Sequence, residues 1–533
     1  MSARPDLAAA SELVATADEV ISGGVDTLRD AGGLDVNQVL AYDVAHAAAA
    51  AATARVLLDY GAKGDQEAAI ACAFAADIVH DLLGRVIGRE QLWNADTLDL
   101  DRARPALSAY RDPEFLAALA ESPGPRHLDS DMEMVQDTFR AFASNVVAPQ
   151  AEHVHRTNGD VPEDVITGLA ELGAFGLSVP AEYGGFSEGG ESEYLAMVIA
   201  TEELSRASLG IGGSLITRPE ILTRALVKGG TEAQKRHWLP QLADAEVMAA
   251  VAVTEPDFGS DVAAIKVTAT PAAGPDGAPG FVINGVKTWC TFAARADVLM
   301  LLARTDPDRS KTHRGLSLFI VPKPRGDGHG FQFTQDPVGE RVGKLEGRPI
   351  DTIGYRGMHS YEVALEDWWV SAENLIGGEQ GLGRGFYYQM EGFENGRLQT
   401  AARAIGVMQA AYDAAVDYAR NRNVFGTTII DYQLTRAKLG RMVVLIQAAR
   451  QCAYHVATLM ANGQGATEAS MIKAYVCKAA EWVTREAMQI HGGMGYAEEF
   501  AVSRLYLDAR VLSIFEGADE TLCLKVIARR LIA

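Results

Sequence analysis

The stretch SIFEGADE, Ser513 to Glu520, places a carboxylate where it could take a proton. Glu516 stands between Phe515 and Gly517, after the short apolar run Val511-Leu512-Ser513-Ile514. An aromatic wall desolvates a carboxylate and raises its pKa, as a general base working near neutral pH requires. A glycine beside it lets the backbone approach a ligand closely. The chain holds 70 acidic residues, most of which must cover solvated faces. The octapeptide alone therefore does not separate a base from a surface acid. A second carboxylate, Glu394 in GFENGRLQ, is the fallback.

Other catalytic signals are absent. No GxGxxG opens a helix after a strand. VGERVGKLEG resembles a P-loop, but its glycines are one residue too close and Leu345 replaces Ser or Thr. There is no HExxH, GxSxG or EF-hand loop. The five cysteines, Cys72, Cys290, Cys452, Cys477 and Cys523, lack CxxC spacing and are odd in number. This argues against a disulfide framework or a metal site and for a reducing compartment. A formal charge of −22 repels phosphate backbones, so no nucleic-acid partner is expected, though a local basic pocket stays open. The first twenty residues lack the apolar core of a signal peptide. The least polar run, Val44 to Leu58, is too short and too rich in alanine to span a bilayer. A cytoplasmic protein without membrane insertion is expected.

A chain of 533 residues is too long for one core. Residues 1–125 are alanine-rich with helical periodicity in VLAYDVAHAAAAAATARVLLDYG and EAAIACAFAADIVHDLLGRVIGRE, which predicts a helical extension. Its packing could be purely structural. Tyr110 to Pro113 and ESPGPRHLDSD read as a linker. Residues 126–246 form an expected helical domain, broken at SVPAEYGGFSEGGES. In 247–376 the runs VMAAVAVTE, GFVINGVKTW, DVLMLLART and LSLFIVPK predict a small antiparallel β-sheet or barrel domain, with a hairpin signal at Asn284-Gly285. Residues 377–533 are helical again, as in the amphipathic GRLQTAARAIGVMQAAYDAAVDYARNR. The expected fold class is α+β multidomain, with a C-terminal four-helix bundle.

Five segments in this order, VTEPDFGSD, KTWCTFAA, RNVFG, QIHGGMGY and IFEG, are specific as a set. Over roughly Asp129 to Ala533 the chain resembles the acyl-CoA dehydrogenases, flavoproteins that desaturate acyl-CoA thioesters. The resemblance implies a homo-oligomeric enzyme that binds FAD and passes electrons to electron-transfer flavoprotein. It implies Glu516 as the base, since Gly396 occupies the alternative helical base position directly before Arg397. Thr254 and Ser260 match the holders of the flavin edge and pyrophosphate, Trp289 the ring wall, and Thr291 the hydroxyl donor to N5. Arg422, Phe425, Gln489, Gly492 and Gly493 match segments that reach the FAD of a neighbouring subunit. Arg397 and Gly517 match substrate contacts. Ala518 departs from the family, which usually carries Thr or Ser there.

Arg218, in ITRPEI, falls in the region lining the acyl end of the pocket, where a cation would receive a distal carboxylate. A pairing with one of the many acids is the structural alternative. The helical extension and YRGMHSYEVALEDWW (Tyr355 to Trp369) resemble one branch of the family. That branch oxidises (2S)-methylsuccinyl-CoA to mesaconyl-CoA in the ethylmalonyl-CoA pathway. A generic short- or branched-chain acyl-CoA dehydrogenase, an acyl-CoA oxidase and a non-catalytic flavin- or CoA-binding scaffold are the alternatives. By analogy the extension could block pairing of dimers into tetramers, which favours a dimer.

Overall fold

A computed structural model describes residues 4–30, 33–95, 101–326 and 329–533. Residues 1–3, 31–32 and 96–100 of the expected extension, and 327–328 of the expected β domain, lie outside the described residues. The helices run α1 (Leu7–Asp30), α2 (Gln38–Gly61), α3 (Asp65–Val86), α4 (Arg104–Tyr110), α5 (Pro113–Ala118), α6 (Ser130–Phe142), α7 (Ala148–Thr157), α8 (Glu163–Glu171), α9 (Glu191–Ala207), α10 (Thr217–Gly229) and α11 (Glu232–Ala243). After the strands come α12 (Gly385–Asn421), α13 (Gln433–Ala461), α14 (Ala466–Ile490), α15 (Ala501–Leu512), α16 (Asp519–Thr521) and α17 (Ala528–Ile532). The chain divides into two compact units. One comprises Met1–Arg140, Val198–Ala207 and Arg397–Ala533, the other Ala141–Met197 and Ser208–Gly396. Among the described residues, no helix is long and apolar enough to cross a membrane.

In the first unit the N-terminal helices pack on the C-terminal bundle. α2 lies against α1, α3, α13 and α14, and α5 lies against α13. The alanines of α2 explain this. Ala45, Ala47, Ala48, Ala49, Ala51 and Ala54 are all buried, on more than one face. Alanine costs no side-chain entropy and lets neighbouring helices come close from several sides. Leu40, Val44 and Leu57 add buried aliphatic surface, each contributing about 1.5–3 kcal/mol.

The expected linker is held tightly. Asp112 caps α5 by accepting from the backbone N–H groups of Glu114 and Phe115. Gly440 of α13 permits the approach of α5, because a Cβ there would stand 1.9 Å from the Leu116 carbonyl oxygen. Beyond α5, Gln447 donates to the Gly124 carbonyl (2.9 Å) and the Tyr60 hydroxyl to that of Pro125 (3.0 Å). Arg126 reaches Glu202 and Glu203 at 2.8 Å each, and Arg450 meets the same Glu202 at 2.8 Å.

The second unit is built on β1 (Ala249–Ala252), β2 (Thr268–Ala273), β3 (Pro279–Thr291), β4 (Val298–Arg304), β5 (Leu316–Pro322), β6 (Phe331–Thr334), β7 (Lys344–Ile350) and β8 (Ser360–Ser371). They form one sheet in the order β1-β4-β2-β3-β8-β7-β6, with β5 on β4. The sheet is mixed rather than antiparallel throughout, because β4 runs parallel to both β1 and β2. The chain between β1 and β4, containing β2 and β3, is long enough for the crossover a parallel pair needs. All seven residues of β4 are buried, and its apolar face joins Ile221, Leu222 and Leu226 of α10 and Trp238, Leu239 and Leu242 of α11 in one core. Asn284-Gly285 is not a hairpin turn. It lies inside the continuous strand β3 at a register shift against β8. Gly285 takes φ 135°, and Asn284 exchanges two hydrogen bonds with Asp367, its side-chain oxygen accepting from the Asp367 N–H at 2.8 Å. That cross-strand pairing turns a turn signal into a bulge.

Candidate active site

In the second unit, VTEPDFGSD leaves the end of β1 as a loop whose centre is Glu255. Its backbone N–H and C=O close a tight turn with Phe258. Its buried carboxylate accepts from the N–H groups of Lys266 (2.7 Å) and Val267 (2.9 Å) and from Lys287 Nζ (2.9 Å). Lys287 donates also to the Val253 carbonyl at 2.9 Å. The motif KTWCT on β3 is thereby fastened to the loop carrying Thr254 and Ser260. The Thr288 N–H donates to the Thr254 carbonyl at 2.8 Å and tightens the join. Burial brings the Lys287 ammonium down to about 8, against the opposing pull of Glu255.

Pairing of β3 with β8 breaks between Lys287 and Cys290. Within the break Trp289 takes φ 57° and its side chain is left 56% exposed. Past the break, Thr291 returns to register with Ser360, and their hydroxyls lie 3.0 Å apart. Thr254 is half-buried and Ser260 exposed. An exposed indole beside a half-buried loop hydroxyl fits a flat aromatic group. Arg218, in the first turn of α10, is buried. Two residues on, the Glu220 carboxylate accepts from Asn395 and from Arg224, and burial pushes its carboxyl up.

In the first unit, Glu516 lies in the turn between α15 and α16. It is half-buried and takes φ 54°, followed by Gly517 at φ 96°. A left-handed glutamate costs about 1–2 kcal/mol and persists only where the surroundings fix it. Three contacts do so. The Asp519 N–H donates to the Ser513 carbonyl at 3.1 Å. Lys473 of α14, fully buried, donates to the Gly517 carbonyl at 2.6 Å. Asp519 Oδ2 accepts from the Tyr42 hydroxyl at 2.5 Å and lies 3.0 Å from His46 Nε2. Burial pulls the Lys473 ammonium below the usual lysine range, against the attraction of Glu516 and Asp519. Arg403 stacks over the Phe515 ring at 5.3 Å, and Arg397, also buried, donates to Ser470 Oγ at 3.1 Å.

RNVFG and QIHGG are brought together in the same unit. Tyr418, one turn before Arg422, stacks on His491 with ring centres 4.3 Å apart. Arg422, Gln489, Gly492 and Gly493 are exposed, and a Cβ at either glycine would meet open space. Phe425 is 97% and Tyr496 85% exposed. Such open backbone and uncovered rings fit an extended ligand or a second chain. Of the predicted residues, Thr254, Ser260, Trp289, Thr291 and Arg218 belong to one unit. Glu516, Gly517, Arg397, Arg422, Phe425, Gln489, Gly492 and Gly493 belong to the other. The fallback Glu394 lies on α12, half-buried. Reasoning from sequence missed Glu255, Lys287, Lys473, Asp519, Tyr42 and His46. Glu255, Lys287 and Asp519 lie inside the quoted motifs, and Tyr42 and His46 carry the i, i+4 spacing of one helix face.

Family models for the N-terminal, middle and C-terminal domains of acyl-CoA dehydrogenase match residues 129–246, 250–368 and 383–532. The (2S)-methylsuccinyl-CoA dehydrogenase of Cereibacter sphaeroides is 43% identical over 410 residues, 77% of this chain and 71% of that protein. The chain belongs to the acyl-CoA dehydrogenase family. This acyl-CoA dehydrogenase is thus an oxidoreductase of a flavoprotein family. Its fold is that of the family, helical, then β, then helical. It is similar to the solved glutaryl-CoA dehydrogenase in complex with glutaryl-CoA (TM-score 0.67, 30% identity, 76% of this chain and 97% of that one). It is also similar to butyryl-CoA dehydrogenase from Megasphaera elsdenii (TM-score 0.67, 29% identity, 76% and 99%). Helices α1 to α5 precede the first matched residue of the family models.

Proposed function

We propose that this acyl-CoA dehydrogenase oxidises a short branched dicarboxylic acyl-CoA, (2S)-methylsuccinyl-CoA to mesaconyl-CoA, with Glu516 as the base. The observation that carries the reading is the Glu516 turn, held in a strained left-handed conformation from both sides. The 43% identity to a methylsuccinyl-CoA dehydrogenase supports the substrate. Glu516 takes the proton from the carbon beside the thioester carbonyl. Its chain neighbour Phe515 is held under the Arg403 guanidinium. Arg218 receives the distal carboxylate, which is retained in the product. FAD, when bound, would supply the hydride acceptor for the adjacent carbon. Thr254, Ser260, Trp289 and Thr291 would hold its flavin ring and pyrophosphate. Arg422, Phe425, Gln489, Gly492 and Gly493 of a second copy would hold the adenosine half, the Arg422 guanidinium pairing with phosphate oxygens.

The uncovered Phe425 and Tyr496 support a homo-oligomer. The cover that α2 and α3 place on α13 supports a dimer. Electrons then pass to electron-transfer flavoprotein.

An activity screen over CoA esters with an artificial electron acceptor tests the reading. The purified protein should be yellow and bleach with methylsuccinyl-CoA, with kcat/KM at least about tenfold above butyryl-CoA, as one lost charge-assisted contact implies. A preference for butyryl- or isobutyryl-CoA would leave a generic short- or branched-chain enzyme. A colourless protein that does not bleach after flavin addition would leave a scaffold.

A further inference from the structure

Tyr42 and His46 stand one turn apart on α2 and leave the same face. Both end on one carboxylate oxygen. The Tyr42 hydroxyl donates to Asp519 Oδ2 at 2.5 Å, and His46 Nε2 lies 3.0 Å from it. The two rings pack edge to face with centres 4.7 Å apart. His46 and Asp519 are only 7% and 5% exposed, and Lys478 Nζ approaches the same oxygen at 3.5 Å.

Asp519 is the first residue of α16, three positions after Glu516. Helices so placed commonly use an acidic side chain to cap their own N–H groups. Here no side chain caps α16, and the Asp519 carboxylate reaches out to α2. Its backbone N–H meanwhile closes the turn on Ser513. The turn therefore hangs between two posts. Lys473 on α14 holds the Gly517 carbonyl. The other post, Asp519, is fixed by residues that precede the first family-matched domain, which begins at residue 129.

We propose that Tyr42 and His46 are positioning residues for this acyl-CoA dehydrogenase: by fixing Asp519 they set where the Glu516 carboxylate stands. The proposal rests on the reading of Glu516 as the base. A left-handed glutamate does not keep its conformation unless its flanks are held. A carboxylate displaced by about 1 Å can lose on the order of a hundredfold in rate while the substrate still binds. The N-terminal helices are then part of the reaction's scaffold, not only a packing module. Tyr42, His46 and Lys478 also line a cavity of about 420 Å³ with Arg85, Arg441 and Trp482, so a small solute can reach the His46 position.

The test uses the FAD-loaded enzyme and two readouts: steady-state kinetics per bound flavin, and anaerobic wash-out of deuterium from an α-deuterated substrate. Tyr42→Phe and His46→Ala should lower kcat about 10- to 100-fold, leave KM within about threefold, and slow α-exchange by the same factor. His46→Gln, whose amide can still donate to Asp519, should recover most of the loss, as should imidazole added to His46→Ala. Val44→Ala, on the same helix but packed toward α1, should lower the melting temperature and leave kcat per flavin unchanged. The proposal is overturned if Tyr42→Phe and His46→Ala keep kcat within twofold, or if Val44→Ala loses as much kcat as His46→Ala. Glu516→Gln runs in parallel. Abolished exchange there, with intact Tyr42→Phe and His46→Ala enzymes, overturns the positioning role alone. Retained exchange in Glu516→Gln overturns the base reading and the positioning role with it.

Discussion

Lys287 Nζ donates to Glu255 Oε1 over 2.9 Å, with the side chains 0% and 5% exposed. The pair joins β3 to the loop bearing Thr254 and Ser260. Removing one partner strands the other as a buried charge, a loss of about 3–5 kcal/mol. Lys287→Met should therefore lower stability by about that amount in denaturant unfolding and reduce flavin content. The double variant Lys287→Met, Glu255→Gln should lose clearly less than the sum of the two single changes. Additive losses would mean that the pair is not coupled.

Glu516→Gln keeps the size of the side chain but removes the carboxylate proposed as the base. The expected loss in kcat is about 10²–10⁴-fold or more, with the flavin spectrum intact. Glu394→Gln should retain α-proton exchange. Reversed results would assign the base to Glu394.

Arg218→Met tests recognition of the distal carboxylate. A charge-assisted hydrogen bond is worth about 1.5–3 kcal/mol, roughly 10- to 100-fold in affinity. KM for methylsuccinyl-CoA should rise by that factor and KM for butyryl-CoA by less than about threefold. Equal rises for the two esters would refute the assignment.

Burial pushes the Asp519 carboxyl up, but the hydrogen bond and charge of His46, the Tyr42 hydroxyl and Lys478 outweigh it and bring it to about 2. A carboxyl held below its unfolded value stabilises the fold fully above about pH 4, and that contribution is lost as pH falls through about 2. Against Asp519→Asn, the parent enzyme should be about 1–2 kcal/mol more stable at pH 6, a figure reduced because Lys478 is partly solvated. The gap should narrow steadily between pH 4 and 2. A gap independent of pH would show that charge is not what the contact supplies.

The helices and the change to strands at 247–376 were legible in the hydrophobic periodicity, because burial of one face repeats along the chain. The close seating of the linker is not legible in its sequence, since Pro and Gly composition is the same whether carbonyls face water or, like those of Pro123 to Pro125, accept from Gln447 and Tyr60. Asn284-Gly285 misled because its partner, Asp367, lies 83 residues away. Glu516, Thr254, Trp289 and Thr291 stand in motifs that family resemblance exposes. Tyr42 and His46 lie in the extension's AYDVAH stretch, but only the folded packing of α2 brings them to Asp519.

The His46–Asp519 contact joins residues 473 positions apart. At about 5–20 residues per second, ribosomal synthesis delivers His46 some 25–95 seconds before Asp519. For most of that interval, until α13 and α14 have been made, the alanine-rich faces of α2 and α3 have no bundle to lie on. The contact that ties Asp519 to α2 forms only once both segments have left the ribosome.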